Sequence, residues 1–175
     1  MKDPSIFFTA DPHFLHDAII IHCSRPFINC NKMNKNLVRN WNDTVSSEDH
    51  VYILGDFAWG GVDKKYPMEI ITRNLNGHKH LIYGNHDRLH PFEYIEIGFD
   101  STHSALEIYD GKILLAHDPS IGTCLKPEQV LLHGHLHREL INNTRFINVG
   151  VDVFGFKPVS LETILQIFRE RGIKL

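Results

Sequence analysis

The sequence predicts an α/β protein of mixed β-sheets flanked by helices, on three observations. Short apolar runs recur five times, each followed by one small residue and then a polar donor. Between several of them, apolar residues fall at helical spacing. Further along, two apolar runs flank Asp110-Gly111, the mark of a tight β-hairpin. Strands alternating with helices early, and paired strands late, call for mixed sheets with helical cover.

Taken in order, Ile6 to Thr9 is the first strand and leads through Ala10 into Asp11. Proline at position 12 forces an extended link, so Asp11 and His13 are expected to point the same way. His16 to His22 reads as a short helix, with Arg25-Pro26-Phe27 turning out of it. Leu37, Val38, Trp41 and Val45 define an amphipathic helix over about Asn34 to Val45, in which Trp41 is core. Val51 to Leu54 leads through Gly55 into Asp56. A helix around Met68, Ile70, Ile71 and Leu75 is closed by Asn76-Gly77.

Leu81 to Tyr83 then runs through Gly84 into Asn85-His86-Asp87, and Pro91 to Ile97 forms a third main helix. Thr102 to Tyr109 and Lys112 to Ala116 are the hairpin arms, the second ending at His117. Val130 to Leu132, then His133, leads through Gly134 into His135-Leu136-His137. Arg145 to Val153 is a late strand, and Ser160 caps a final helix that stops near Gly172. Small residues before each donor permit strand ends to crowd around one site.

At 175 residues the chain is expected to form one domain, 1–175, burying about 70% of its unfolded surface. A net charge of -3 excludes a global positive field for holding long nucleic acid. No apolar run reaches membrane-spanning or signal-peptide form, so a cytoplasmic protein without a membrane partner is expected. Cys23, Cys30 and Cys124 form no C-x-x-C pair and read as reduced thiols.

The strand-end donors are Asp11, His13, Asp56, Asn85, His117, His135 and His137. Seven oxygen and imidazole donors without thiolate suit two divalent transition-metal ions, manganese first, with iron, zinc, nickel or cobalt as alternatives, over calcium. Two dications carry a charge that two aspartates and one bridging hydroxide do not fully cancel. The surplus suits an anionic phosphate ester, and paired ions lower the pKa of a shared water.

In order along the chain, Asp11-Pro12-His13, Gly55-Asp56, Gly84-Asn85-His86-Asp87, Ala116-His117 and Gly134-His135-Leu136-His137 resemble the five motifs of the calcineurin-like metallophosphoesterases. The opening Asp11-x-His13-Phe14-x-His16 further resembles a compact bacterial and phage branch. The resemblance implies a four-layer αββα sandwich. It assigns Asp11, His13, Asp56 and His137 to one ion and Asp56, Asn85, His117 and His135 to the other, with Asp56 bridging. His86 matches the family's general acid or transition-state stabiliser, and Asp87 its orienting partner. An imidazole beside dications can protonate a leaving alkoxide near neutral pH, which agrees.

The expected partner is a small phosphorylated substrate, diester or monoester. Phe57-Ala58-Trp59-Gly60 stands where serine/threonine phosphatases of the family carry D-R-G, and Asp87 where they carry glutamate, which argues against protein phosphatase action. The competing readings are a non-catalytic module on the same fold and a nuclease using Lys126, Arg138 and Arg145. His16 reads equally as a substrate contact or a solvent-facing helix residue, Arg25 as a surface loop arginine or a phosphate grip. His133 reads as a surface or satisfied structural group, with a place behind the ligands as the alternative. Sequence does not set the oligomeric state.

Overall fold

The computed structural model describes residues 3–175 and contains two mixed sheets. The first comprises β1 (Ile6–Thr9), β2 (His50–Leu54), β3 (His78–Ile82), β4 (Ser101–His103) and β9 (Val159–Ser160), in the order β4-β3-β2-β1-β9. Its first four strands are parallel, and β9 runs antiparallel to β1. The second holds β5 (Leu106–Ile108), β6 (Ile113–Leu115), β7 (Val130–His133) and β8 (Phe146–Asn148) in sequence order. Only β5 is antiparallel there.

Burial follows the pleat. Phe8, Leu54 and Ile82 join Ile113, Leu115, Leu132 and Ile147 in one core between the sheets. Val51, Ile53 and Leu81 point the opposite way, into a second core with Met33, Leu37, Trp41, Met68 and Tyr94. Those last five come from α2 (Cys30–Asn42), α3 (Lys65–Arg73) and α4 (Pro91–Glu96), which cover the first sheet with α1 (Ala18–His22). The second outer layer is thin: the 3-10 helix Pro119–Cys124 lays Gly122 against the Phe146 ring. Helix α5 (Leu161–Glu170) closes the inter-sheet core with Ile164 and Phe168.

Several boundaries differ from the sequence expectation, each for a local reason. Helix α2 begins at Cys30 because Asn29 caps it, its side chain accepting from the Lys32 amide at 3.0 Å. Helix α1 begins at Ala18, leaving His16 outside it. The expected hairpin arm Thr102–Tyr109 is two strands in different sheets, since the chain crosses over at Ser104-Ala105. The turn holds: Asp110 and Gly111 have φ of +54° and +77°, and the Lys112 amide donates to the Tyr109 carbonyl at 3.1 Å. The late strand shrinks to Phe146–Asn148, followed by a single bridge from Gly150 to Ala10.

Among the described residues no helix is long and apolar enough to cross a membrane. His50, His80, Ser101 and His103 form a hydrogen-bonded row across β2, β3 and β4 with spacings of 2.8–3.0 Å.

Candidate metal centre

Parallel pairing brings the carboxyl ends of β1, β2 and β3 to one edge, and β6 and β7 end facing them. The glycines at those ends fix how closely they approach. A Cβ on Gly84 would stand 2.3 Å from Asp56 Oδ1, one on Gly55 2.3 Å from His117 Nδ1, and one on Gly134 2.8 Å from Asp11 Oδ2. No side chain fits there without moving a donor.

The donors are also turned by unusual backbone. Asp11, His13, Asp56, His135 and His137 all have φ between +50° and +70°. Each such residue costs roughly 1–3 kcal/mol, a strain characteristic of functional sites. Asp11 and His13 therefore converge through left-handed backbone on either side of Pro12, and the extended link expected from the sequence is corrected.

Asp56 lies between two groups of donors. Its Oδ2 is 3.5 Å from His13 Nε2 and 3.5 Å from His117 Nε2, while Oδ1 accepts from the His86 amide at 2.9 Å. On one side Asp11, His13 and His137 present ligand atoms within 4.8 Å of one another. On the other, Asn85 Oδ1 is 2.9 Å from His117 Nε2 and 3.0 Å from His135 Nδ1, and the two imidazole nitrogens are 3.1 Å apart.

That second side tests whether a cation fits. His117 Nδ1 is 2.9 Å from the Leu54 carbonyl, which can only accept, so its proton is there and Nε2 offers a lone pair. Asn85 Oδ1 also offers only lone pairs. At most one proton, on His135, is left for three acceptors in mutual contact. On the first side, both ring nitrogens of His13 and Nδ1 of His137 are buried without a hydrogen-bond partner among the described residues. Orphaned, converging lone pairs are what a cation satisfies.

The electrostatics agree. Burial, and next the charge of Asp56, push the Asp11 carboxyl well above its ordinary range. Burial holds His13, His117 and His137 below the ordinary histidine value, so they are neutral donors at neutral pH.

His86 sits at the rim, Nε2 4.0 Å from Asp56 Oδ2 and its ring 5.5 Å from that of His13. Asp87 is turned elsewhere. Its Oδ2 accepts from the amides of Asp56 and Gly84, both at 2.8 Å, and its Oδ1 from the Phe57 amide at 3.0 Å and the Tyr94 hydroxyl at 3.3 Å. It staples the β2 and β3 loops together and makes no hydrogen bond to His86. Burial raises its pKa to about 7.

Arg25 is neither a surface residue nor a phosphate grip. It is buried, pairs with Asp152 through both carboxylate oxygens at 3.0 and 2.7 Å, and donates to the carbonyls of Asp11 and Pro12 at 2.8 and 2.9 Å. Asp152 Oδ2 is in turn 3.9 Å from His137 Nδ1. This clamp escaped sequence reading because its partners are 127 residues apart with no local spacing to mark them. His133 is buried and donates to the Gly134 carbonyl. Lys126 pairs with Glu107, and Arg145 donates to the carbonyls of Lys126 and Gln129, before the start of β7 and so at the end away from the donors. The nuclease reading loses two of its three cations.

Residues 6–155 match the model of the calcineurin-like phosphoesterase superfamily domain. The chain belongs to this superfamily. An uncharacterised protein of Methanocaldococcus jannaschii is 35% identical over 98% of this chain and 95% of its own length. The gene 66 protein of Mycobacterium phage D29 is 29% identical over 86% of this chain and 89% of its own. A crystal structure of a protein of unknown function from Aquifex aeolicus aligns with a TM-score of 0.75 and 27% identity, covering 94% of this chain and all of that one. As a calcineurin-like phosphoesterase the chain has the family's expected metal-binding chemistry in its Asp and His groups.

Proposed function

We propose that the protein hydrolyses small phosphate esters, diesters or monoesters, at two divalent cations, with manganese the first candidate. Asp11, His13, Asp56 and His137 would hold one ion, and Asp56, Asn85, His117 and His135 the other. The observation that carries this reading is Asp56 Oδ2, set 3.5 Å from a donor nitrogen on each side. When bound, such a pair acidifies water and offsets the charge of the ester.

The protein's own groups supply the rest. His86, at the rim and beside Asp56, is placed to give a proton to the departing alkoxide. Asp87 and Arg25 hold the ligand loops in place from behind. The free thiols of Cys23, Cys30 and Cys124 suit a reducing compartment, and we place the protein in the cytoplasm.

Metal analysis coupled to a panel of esters tests this. Asp56→Asn is expected to lose metal and turnover together, whereas His86→Ala keeps its metal and loses about 10²–10⁴ in rate. Equal metal loss in both variants, or no turnover by the parent above the His86→Ala level with any divalent ion, overturns the proposal.

A further inference from the structure

Beside His86 stands an imidazole that the metal centre does not use. The His16 ring is half-buried and lies flat on the Trp59 indole, centroids 4.1 Å apart and planes within 6°. Its own centroid is 5.4 Å from that of His13, and Trp59 reaches the His86 ring at 4.9 Å. The backbone builds this wall. Phe14 and Ala58 form a bridge, the Phe14 amide donating to Phe57 and the Trp59 amide to Phe14 at 2.9 and 2.8 Å, so residues 14–16 and 57–59 travel together.

Among the described residues neither nitrogen of His16 has a hydrogen-bond partner, and Nδ1 is buried. A structural histidine this enclosed ordinarily finds a partner. Among the described residues His16 belongs to none of the clusters whose ligand atoms converge within 4.8 Å. Its ring nitrogens are left without a protein partner at the edge of the metal centre. The Arg88 guanidinium, 5.9 Å from the Trp59 centroid and in no salt bridge among the described residues, adds positive charge to the same wall.

We infer that His16 is a further substrate-binding residue, donating a hydrogen bond from its accessible Nε2 to a phosphoryl oxygen of the ester, and that Trp59 is the positioning residue that fixes its ring. The inference rests on the phosphoester reading above. A flat stack leaves the ring few rotations, so the N–H is aimed before substrate arrives and little freedom is lost on binding.

Inorganic phosphate, titrated calorimetrically into the manganese-loaded protein, reads this without turnover. His16→Ala is expected to retain the parent's manganese content and unfolding midpoint but to bind phosphate about tenfold or more weakly, as for loss of a hydrogen bond to a charged group. With an ester substrate KM rises more than kcat falls. Trp59→Ala weakens phosphate binding in the same direction, and Trp59→Phe, which can still stack, restores most of it. Parent-like phosphate affinity in His16→Ala overturns the inference, and so does loss of manganese, which would make His16 a ligand. Absence of turnover in the parent counts against hydrolysis alone, since the phosphate titration still decides the role of His16; a parent that binds no phosphate defeats the role as well.

Discussion

Arg25 and Asp152 show how much a single buried pair can carry. Both side chains are fully shielded from solvent, and the guanidinium divides its donors between a carboxylate and the two carbonyls that flank the Asp11 turn. Removing the arginine leaves the buried Asp152 carboxyl group without its bidentate partner. Arg25→Ala is therefore expected to lower stability by about 3–5 kcal/mol, read as a lower urea midpoint with an unchanged slope. Metal affinity should fall with it, because Asp11 and His13 lose the support that keeps their backbone at positive φ. Arg25→Lys cannot reproduce the fork and is expected to recover only part of the loss.

Among the elements, the strand ends and the last helix make separate predictions. Gly84→Ala pushes a methyl into Asp56 and should reduce bound manganese, at a stability cost of about 1–3 kcal/mol for overpacking. Gly61→Ala is the control, since its nearest neighbours are 3.9 Å away and it lacks a positive φ. Metal analysis of the two proteins separates crowding at the site from a general effect of losing glycine. Helix α5 depends on Ser160, whose hydroxyl accepts from the Thr163 amide at 3.2 Å, and Ser160→Ala should cost about 1 kcal/mol in thermal or urea unfolding. These two elements were readable in advance because each is signalled within a few neighbouring residues. The hairpin was readable only in part: Asp110-Gly111 specifies a turn, but nothing local says that the strand before it belongs to a different sheet from Ser101–His103.

For the whole molecule the consequence is a dependence of metal binding on pH. Burial and the charge of Asp56 raise the Asp11 pKa, so protons compete with metal at pH values where an exposed aspartate would not hold them. The buried histidines, with lowered values, are already neutral. The rise in melting temperature caused by manganese should therefore keep growing as pH rises above the ordinary aspartate range. In the metal-free protein Asp87 acts with a definite sign. Its raised pKa contributes stability that is complete below the unfolded value of 3.8 and is lost as pH climbs through about 7. Relative to the parent, metal-free Asp87→Asn should show a flatter fall in stability over that window. The shielded histidines act the other way as pH drops below their unfolded value, which is why the difference between the two proteins is the quantity to measure.

By itself the sequence determined which residues are candidate donors, where the main strands end, and that small residues stand beside those candidates. Those features are local: an apolar run, one glycine or alanine, and a polar group occupy a handful of positions. Only the tertiary structure decided that Asp56 lies midway between His13 and His117, that Arg25 is a buried clamp, and that His16 is stacked on Trp59. Such contacts join residues as far apart as Arg25 and Asp152, 127 positions along the chain. They depend on parallel strands packing in register and on strained backbone at their ends, and no short stretch of sequence records either.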